Sequence, residues 1–385
     1  MRIGIVGFGL RASLTKYAHA PENGHEVTIV CDISERGRRD AAARLPGVTV
    51  TDSLGELLSS GIDAVLVLTP DFAHAPVAIA CLEAGIPTFC EKPLATTIED
   101  ADAILAAAAR TRTRLYVGHN MRHMPAMRTM KDIIDSGRIG QVKAVWCRHF
   151  VGNGGDYYFK DWHADRSKST GLLLQKGAHD IDVIHWLAGA FTRSTAAMGA
   201  LTVYGDIADR ADNSDRRMGE WFDVGTWPPE TQTGLSEVID VEDVSQVNMT
   251  LRNGVLASYE QCHFTPDYWR NYTVIGTRGR IENFGDADGD AIGIWDRRHD
   301  GSAPPDETVR VAGGQGGHGG ADPNLIGEFL RFARDGGTTE TSSVAAREAV
   351  AVGFQATASL RGGGSALPIP QLDPAIVDYF ERGQA

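Results

Sequence analysis

Two short stretches of the chain hold residue types that could oxidise an alcohol. The first is Glu91-Lys92-Pro93, in which a lysine is fixed next to a proline, and the second contains Lys176 and His179. Oxidation of a secondary alcohol needs a base within hydrogen-bond reach of the hydroxyl and a cation that stabilises alkoxide character. His179 is the candidate base and Lys92 the candidate cation. A solvated lysine and a satisfied core histidine are the ordinary alternatives, so the surrounding elements must decide.

Residues 2 to 122 alternate short β-branched runs with amphipathic segments. This pattern predicts a doubly wound α/β domain, in which helices cover both faces of a parallel sheet. The predicted strands are residues 2–7, 26–31, 64–68, 88–90 and 115–118. The predicted helices are residues 10–20, 35–44, 74–84 and 98–111, and Thr97 with Asp100 forms the capping pair of the last one.

The first predicted strand runs into Gly7-Phe8-Gly9-Leu10-Arg11-Ala12, a G-x-G-x-x-A turn that opens a helix. Gly7 permits the bend, Gly9 lets backbone amides approach a pyrophosphate, and Ala12 permits close packing. Asp32 ends the second strand, where a carboxylate binds ribose hydroxyls and repels a 2′-phosphate. The sequence therefore predicts an NAD site with NADP disfavoured, although nearby arginines soften that discrimination. Further cofactor contacts are predicted at Phe8, Leu10 and Arg11 in this turn and at Ile33 and Arg36 after the second strand.

Composition limits the classes of protein that remain. The chain has 385 residues, of which 42% are hydrophobic and 23% charged, and a net charge of −13 argues against a nucleic-acid partner. Its length predicts two domains, or one domain with a large extension. Five widely spaced cysteines are expected to be reduced core thiols, and no signal peptide or membrane span is predicted, so we expect a cytoplasmic enzyme. No metal site is expected, because the Asp286–Asp290 stretch and the His119/His123 pair lack the ligands of calcium and zinc sites.

The chain resembles the Gfo/Idh/MocA oxidoreductase family over nearly its full length. The motifs that carry the resemblance are the glycine turn, Thr69-Pro70-Asp71 with His74, Glu91-Lys92-Pro93, Gly118-His119-Asn120-Met121-Arg122, Gly137-Arg138-Ile139-Gly140 and His179-Asp180-Ile181-Asp182. The resemblance implies that Thr69 and Pro70 line the nicotinamide ribose and that Glu91 helps to hold NAD. It implies that Lys92 bonds the ribose and the reacting hydroxyl. Further cofactor contacts expected from it are Asp71, His74, Asn120 and Trp162.

The same resemblance implies two domains and an oligomer. Residues 1–122 would form the NAD-binding Rossmann domain, and residues 123–385 an α+β domain with an open, largely antiparallel sheet. Its outer face would form a homodimer or homotetramer. A helix over residues 344–360 is expected to pack back on the core. Residues 205–243 look like a polar insertion, either a lid or an arm that grips a neighbouring subunit.

Two departures from the family pattern concern the substrate. Gln175 stands where many members carry aspartate, with Lys176 beside it, and Trp162-His163 replaces a common Trp-Arg pair. The leucines at 172–174, just before Gln175, are expected to form a buried strand. Convergence of Lys92, Lys176 and His179 would suit an anionic, carboxylated or sulfonated sugar, with a neutral polyol still open. The predicted substrate contacts are Lys92, Arg122, Trp162, His163, Arg166, Gln175, Lys176, His179 and, from a glycine-rich turn, His318.

Three functions are compatible with these residues. The first is an NAD-dependent oxidoreductase that takes hydride from a secondary hydroxyl of a sugar, glycoside or cyclitol. The second is a glycosidase that uses bound NAD for transient oxidation, elimination and re-reduction, without net NADH. The third is a sensor that binds NAD and a sugar without turnover. In each case the partner is a small carbohydrate, with no nucleic acid or membrane partner expected.

Overall fold

The computed structural model describes residues 1–313 and 317–384, except for the side chains at 317 and 318, so the predicted contact His318 lies outside the described side chains. The chain divides into two compact units. The N-terminal unit comprises Met1–Asn120, Ala321–Val350 and Gln371–Ala385. The C-terminal unit comprises Met121–Gly320 and Ala351–Pro370. No helix among the described residues is long and apolar enough to cross a membrane.

A six-stranded parallel sheet forms the centre of the N-terminal unit. Its order is β3-β2-β1-β4-β5-β6, which is the strand order of a doubly wound dinucleotide-binding fold. The strands are β1 (Arg2–Val6), β2 (Glu26–Cys31), β3 (Thr49–Thr51), β4 (Ala64–Val67), β5 (Thr88–Cys90) and β6 (Leu115–Val117). Five of them confirm predicted strands to within one residue, whereas β3 was not predicted. The fold class is therefore as the sequence indicates.

Helices connect these strands. They are α1 (Thr15–Ala18), α2 (Glu35–Arg44), α3 (Leu54–Ser59), α4 (His74–Glu83) and α5 (Ile98–Thr111). Helix α5 begins where it was predicted, with Asp100 N donating to Thr97 Oγ1 at 3.0 Å. The predicted helix over residues 10–20 is wrong in extent, since Leu10–Leu14 is a 3-10 turn and α1 ends at Ala18. Helix α3 was not predicted.

The C-terminal unit contains a nine-stranded sheet of order β16-β15-β14-β13-β7-β12-β11-β8-β17. Every neighbouring pair is antiparallel except β7 and β12, so the largely antiparallel sheet is confirmed. Its strands are β7 (Val142–Phe150), β8 (Thr192–Ala200), β11 (Val244–Leu251), β12 (Leu256–Cys262), β13 (Trp269–Gly276), β14 (Arg280–Phe284), β15 (Ala291–Trp295), β16 (Glu307–Arg310) and β17 (Leu367–Pro368). A separate pair, β9 (Arg210–Ala211) and β10 (Leu235–Ser236), lies inside the insertion.

The helices of this unit are α6 (Pro125–Asp135), α7 (Gly154–Tyr158), α8 (Arg166–Ser169), α9 (Leu172–Gln175) and α10 (Gly177–Ala188). Helix α10 contacts β7 and β12, and all but one of its residues are buried. The expectation that residues 172–174 form a buried strand is wrong, because they begin the short helix α9. The expected burial is confirmed, since the three leucines are at most 2% exposed.

Three helices complete the chain, namely α11 (Gly317–Asp335), α12 (Ser343–Arg361) and α13 (Pro374–Glu381). The apolar side of α11 contributes Leu325, Ile326 and Phe329 to the core of the N-terminal unit, together with Ile3 and Phe8. Helix α12 confirms the helix predicted over residues 344–360. A further helix, α13, follows it and was not predicted.

Candidate functional site

The turn after β1 has the geometry that a dinucleotide needs. Gly7 has φ of 89°, and a Cβ at this position would lie 2.8 Å from the backbone nitrogen of Thr69, so only glycine fits. Around Gly9, no described atom lies within 4 Å of the place where a Cβ would stand. The backbone above Gly9 is therefore open to a bound phosphate group. Leu10 and Ile33, two predicted cofactor contacts, expose their apolar side chains.

Asp32 is held at the end of β2 by backbone and side-chain donors. Its Oδ2 accepts from Phe8 N at 2.6 Å, and its Oδ1 accepts from Ser34 N and Ser34 Oγ, both at 2.7 Å. A Cβ on Gly37 would stand 2.3 Å from the carboxylate carbon. The glycine at this position thus lets α2 pass close to the carboxylate. These donors fix the orientation of Asp32 before any ribose arrives.

A buried charge cluster joins the glycine turn to the Glu91-Lys92-Pro93 segment. Arg11 Nε donates to Glu91 Oε1 at 2.6 Å, and its terminal nitrogens lie 3.3 and 3.4 Å from the carboxylate oxygens of Asp322. Asn120 Nδ2 also donates to Asp322, at 3.2 Å. The positive charge of Arg11 is thereby matched inside the N-terminal unit. Arg11, Glu91 and Asn120 were predicted as cofactor contacts, and here they hold one another.

The backbone around Lys92 is fixed on both sides. Lys92 N donates to Glu91 Oε2 at 2.9 Å, and the Lys92–Pro93 peptide bond is cis. On the other side, the ring nitrogens of the fully buried His74 lie 2.7 Å from Pro93 O and 3.0 Å from Thr69 O. His74 therefore ties the segment after β4, which contains Pro70 and the buried Asp71, to the segment that contains Lys92. Arg36, another predicted cofactor contact, is half-buried on α2.

In the C-terminal unit, Lys176 and His179 lie at the junction of α9 and α10. His179 is in the first turn of α10 and, like Gln175 at the end of α9, is buried. Lys176 Nζ lies 5.7 Å from the centre of the Tyr158 ring, a cation–π distance. Gln175, Lys176 and His179 therefore lie on two consecutive helices, where a strand was expected before Gln175.

Asp180, the residue after His179, belongs to a buried ionic network whose other members were not predicted from the sequence. Arg270 Nε lies 2.9 Å from Asp180 Oδ1, and Tyr272 donates its hydroxyl to the same oxygen. His149 Nδ1 is 3.3 Å from Asp180 Oδ2. Burial raises the pKa of Asp180, but the Arg270 charge and His149 outweigh it and leave the pKa below its ordinary value. Burial, with Arg270 adding to it, lowers the pKa of His149 to about 3.

The other predicted substrate contacts are held by neighbouring carboxylates. Arg122 forms two hydrogen bonds of 2.7 Å with the carboxylate of Asp182, and both side chains are buried. Arg166 contacts Asp240, with its Nε 3.0 Å from Asp240 Oδ2. Neither guanidinium therefore carries an unbalanced charge. Trp162 and His163 stack with ring centres 3.8 Å apart, and His163 is bonded to Asp161.

The insertion folds onto its own unit. Trp221 Nε1 donates to Asp156 O at 2.9 Å, and Gln232 Nε2 donates to Asp156 Oδ2 at 3.1 Å. Asn213 Nδ2 donates to Lys160 O at 2.8 Å. These bonds attach residues 205–243 to the segment around α7. A cleft of ≈ 500 Å³ lies within this region, lined by residues 202–203, 206–209 and 230–233, and it includes none of the predicted site residues.

Comparison with known proteins decides the family. Residues 1–119 match the model of an oxidoreductase family with an NAD-binding Rossmann fold, and residues 127–282 match the Gfo/Idh/MocA C-terminal domain. The chain belongs to the Gfo/Idh/MocA oxidoreductase family. The NAD-binding function of the N-terminal unit follows, and the open glycine turn and the fixed Asp32 carboxylate fit that cofactor. Among the described residues, no group of three or more His, Cys, Asp or Glu side chains could hold a metal ion.

Several members of the family are similar to this chain. Inositol 2-dehydrogenase 2 of Saccharopolyspora erythraea is 35% identical over 192 residues, which cover 49% of this chain and 54% of that protein. Myo-inositol dehydrogenase Hyg17 of Streptomyces leeuwenhoekii is 28% identical over 318 residues, covering 78% and 94%. A levoglucosan dehydrogenase in complex with NADH and levoglucosan matches in structure with a TM-score of 0.77 and 20% identity, covering 96% of this chain and 100% of that one.

The candidate residues differ in how far apart they lie in the sequence. Lys92 and His179 lie in two of the short motifs on which the sequence resemblance rests. Asp180, His149 and Arg270 come from a helix and two strands that are distant in sequence. A signal was present, since an arginine stands within the otherwise strand-like run over residues 269–276. A charge at such a position predicts a buried ionic partner but does not identify it.

Proposed function

We propose that this Gfo/Idh/MocA protein is an NAD-dependent dehydrogenase that oxidises a secondary hydroxyl of a sugar, glycoside or cyclitol. The observation that carries the proposal is the fixed backbone on either side of Lys92 in the NAD-binding unit. Glu91 holds the amide of Lys92, and His74 contacts the carbonyl of Pro93. A catalytic cation must be held in place, because misplacement by about 1 Å costs about a hundredfold in rate. Relatives named as inositol dehydrogenases support the choice of substrate class.

The residues have separate roles in this proposal. NAD, held by the glycine turn and Asp32, would supply the acceptor for the hydride of the substrate carbon. His179 accepts the proton of the hydroxyl, and Lys92 stabilises the negative charge that develops on its oxygen. Lys176 binds or polarises a neighbouring hydroxyl, with Gln175 as a neutral hydrogen-bonding partner for the same sugar. Trp162 and His163 supply a flat ring surface for the pyranose or cyclitol ring.

The charge pattern favours a neutral substrate over an anionic one. Two arginines of the C-terminal unit that could bind a carboxylate or sulfonate are already paired, Arg270 with Asp180 and Arg122 with Asp182. An anionic sugar would have to compete with these buried carboxylates. We therefore propose a neutral sugar or cyclitol as the preferred substrate, and a carboxylated or sulfonated sugar as the alternative to be tested beside it.

NAD is proposed as the preferred cofactor over NADP. The Asp32 carboxylate is held by three donors, so it cannot easily turn away from a 2′-phosphate. Arg38 donates to the carbonyls of Asp32 and Ile33 at 2.8 and 3.0 Å and is thereby occupied. A carboxylate beside a phosphate dianion is strongly unfavourable.

Three variants test the proposal. Lys92→Ala and His179→Ala should each lower kcat for NAD-dependent sugar oxidation at least a hundredfold, because each removes a group that acts on the reacting hydroxyl. The dissociation constant for NAD should change far less in His179→Ala than in Lys92→Ala. Lys143→Ala, which removes an exposed lysine from β7, is the control and should behave as the unmodified protein. Unimpaired turnover in both site variants would exclude the assignment.

A further inference from the structure

The C-terminal unit contains a series of aromatic rings that begins on the insertion. Phe222 lies edge-on to Tyr157 with ring centres 5.6 Å apart, and Tyr157 lies 6.1 Å from Tyr158. Tyr158 in turn lies 5.5 Å from His163, which stacks on Trp162. We call these five residues the aromatic series, namely Phe222, Tyr157, Tyr158, His163 and Trp162. Their rings form one continuous chain of contacts.

The aromatic series runs from the surface towards the side chains assigned to the reaction. Phe222 and Tyr157 are 40% and 37% exposed, whereas Tyr158 is 8% exposed. Tyr158, the middle ring of the series, lies with its ring centre 5.7 Å from the ammonium group of Lys176. Lys176 is three residues before His179 in the chain. Exposed rings are thus connected, through Tyr158, to the residues that would contact the oxidised sugar.

The segment that carries these rings is fixed before any ligand binds. Asp156 is 2% exposed, and it accepts from Gln232 while its Oδ1 lies 3.1 Å from Lys160 Nζ. Its carbonyl accepts from Trp221, the residue next to Phe222. Behind Tyr158, the fully buried His263 packs edge-on with ring centres 5.2 Å apart. Rings that are already ordered lose little conformational entropy when a ligand packs on them.

Exposed aromatic rings that lead to a sugar site can bind a group attached to that sugar. The apolar C–H face of a second sugar, or an aryl aglycone, packs on such rings and removes apolar surface from water. We propose that Phe222 and Tyr157 form a subsite for a group linked to the oxidised sugar, so that the natural substrate is a glycoside rather than a free monosaccharide. This inference rests on the proposed dehydrogenase function and narrows its substrate class.

The test compares one sugar with its phenyl glycoside. For the sugar that the enzyme oxidises best, kcat/KM is measured with NAD for the free sugar and for its phenyl glycoside. The quantity compared between variants is the ratio of the glycoside value to the free-sugar value. The unmodified protein should prefer the glycoside. Phe222→Ala and Tyr157→Ala should each lower the ratio roughly threefold to tenfold. Phe222→Tyr keeps an aromatic ring at this position and should have the same ratio as the unmodified protein.

A matched control and the sedimentation coefficient distinguish a glycoside subsite from a contact between copies of the chain. Val224→Ala changes an exposed apolar residue of the same insertion and should leave the ratio unchanged. An unchanged ratio in Phe222→Ala and Tyr157→Ala would overturn the subsite while leaving the dehydrogenase intact. Dissociation of an oligomer, with an equal loss for both substrates, would also overturn it and make the patch a contact between copies. Absence of activity on any sugar would overturn the proposed function itself.

Discussion

Arg11 Nε and Glu91 Oε1 form an ion pair of 2.6 Å that links the glycine turn to the residue before Lys92. The two residues are 80 positions apart in the chain, and their side chains are 22% and 5% exposed. Asp322 is a second carboxylate partner of the same arginine. Removing Arg11 would therefore leave two buried carboxylates without their cation.

Arg11→Met should destabilise the N-terminal unit by about 3 kcal/mol, since breaking a buried ion pair exposes the cost of an uncompensated charge. The midpoint of thermal unfolding should fall by several degrees, and NAD binding should weaken. Arg39→Met removes an exposed pair with Glu35 and is the control, expected to have almost no effect. Equal midpoints for the two variants would contradict the structural role of Arg11.

Gly37→Ala should weaken NAD binding about tenfold, because its Cβ would stand 2.3 to 2.6 Å from the Asp32 carboxylate atoms and displace that group from the ribose. The preference for NAD over NADP should fall at the same time. Gly327→Ala is the control, since its Cβ would meet no described atom within 4 Å. Dissociation constants come from quenching of protein fluorescence. Unchanged NAD affinity in Gly37→Ala would show that Asp32 does not hold the ribose.

The His149 site makes the stability of the C-terminal unit depend on pH. Burial, the charge of Arg270 and, more weakly, that of Lys176 lower the pKa of His149 to about 3, despite the opposing effect of Asp180. The pKa of a histidine in the unfolded chain is near 6.5. Between that pH and about pH 3, the unfolded chain binds this proton and the folded chain does not. Stability should therefore fall with decreasing pH, by up to about 1.4 kcal/mol per pH unit.

His149→Gln should reduce this dependence, because the variant has no proton to gain at that position. Thermal midpoints between about pH 4 and pH 7 provide the measurement. Some slope should persist in the variant, since burial, with smaller contributions from His149 and Lys176, also lowers the pKa of the buried His263. Identical slopes in the two proteins would mean that His149 is not held neutral in the fold.

Local sequence signals predicted the N-terminal fold well. The ends of β2, β5, α2 and α5 were predicted as they occur, because hydrophobic period and capping residues act within a few positions. Strand β3 was missed since it has three residues, two of them exposed. The helix expected over residues 10–20 ends at Ala18, and the backbone is non-helical at His19 and at Ala20, the residue before Pro21.

The motifs of the candidate site could be recognised in the sequence, but the distant residues that contact those motifs could not. Three consecutive leucines at 172–174 fit a buried strand or a buried helix equally well, and periodicity cannot separate the two in so short a run. Arg270 is 90 residues from Asp180, and no local pattern connects them. The same holds for Asp322, which lies 311 residues from Arg11. Such pairs are set by the tertiary fold.

We propose above that the chain oxidises a sugar or cyclitol hydroxyl with NAD. This activity can be measured by incubating the pure protein with NAD and a panel of neutral, carboxylated and sulfonated sugars, cyclitols and aryl glycosides. NADH absorbance and aglycone release are followed in the same sample. We predict that NADH accumulates in proportion to substrate, most rapidly with a neutral substrate, and that Lys92→Ala abolishes it. Release of aglycone that requires NAD but leaves no net NADH would exclude a dehydrogenase and identify a glycosidase instead.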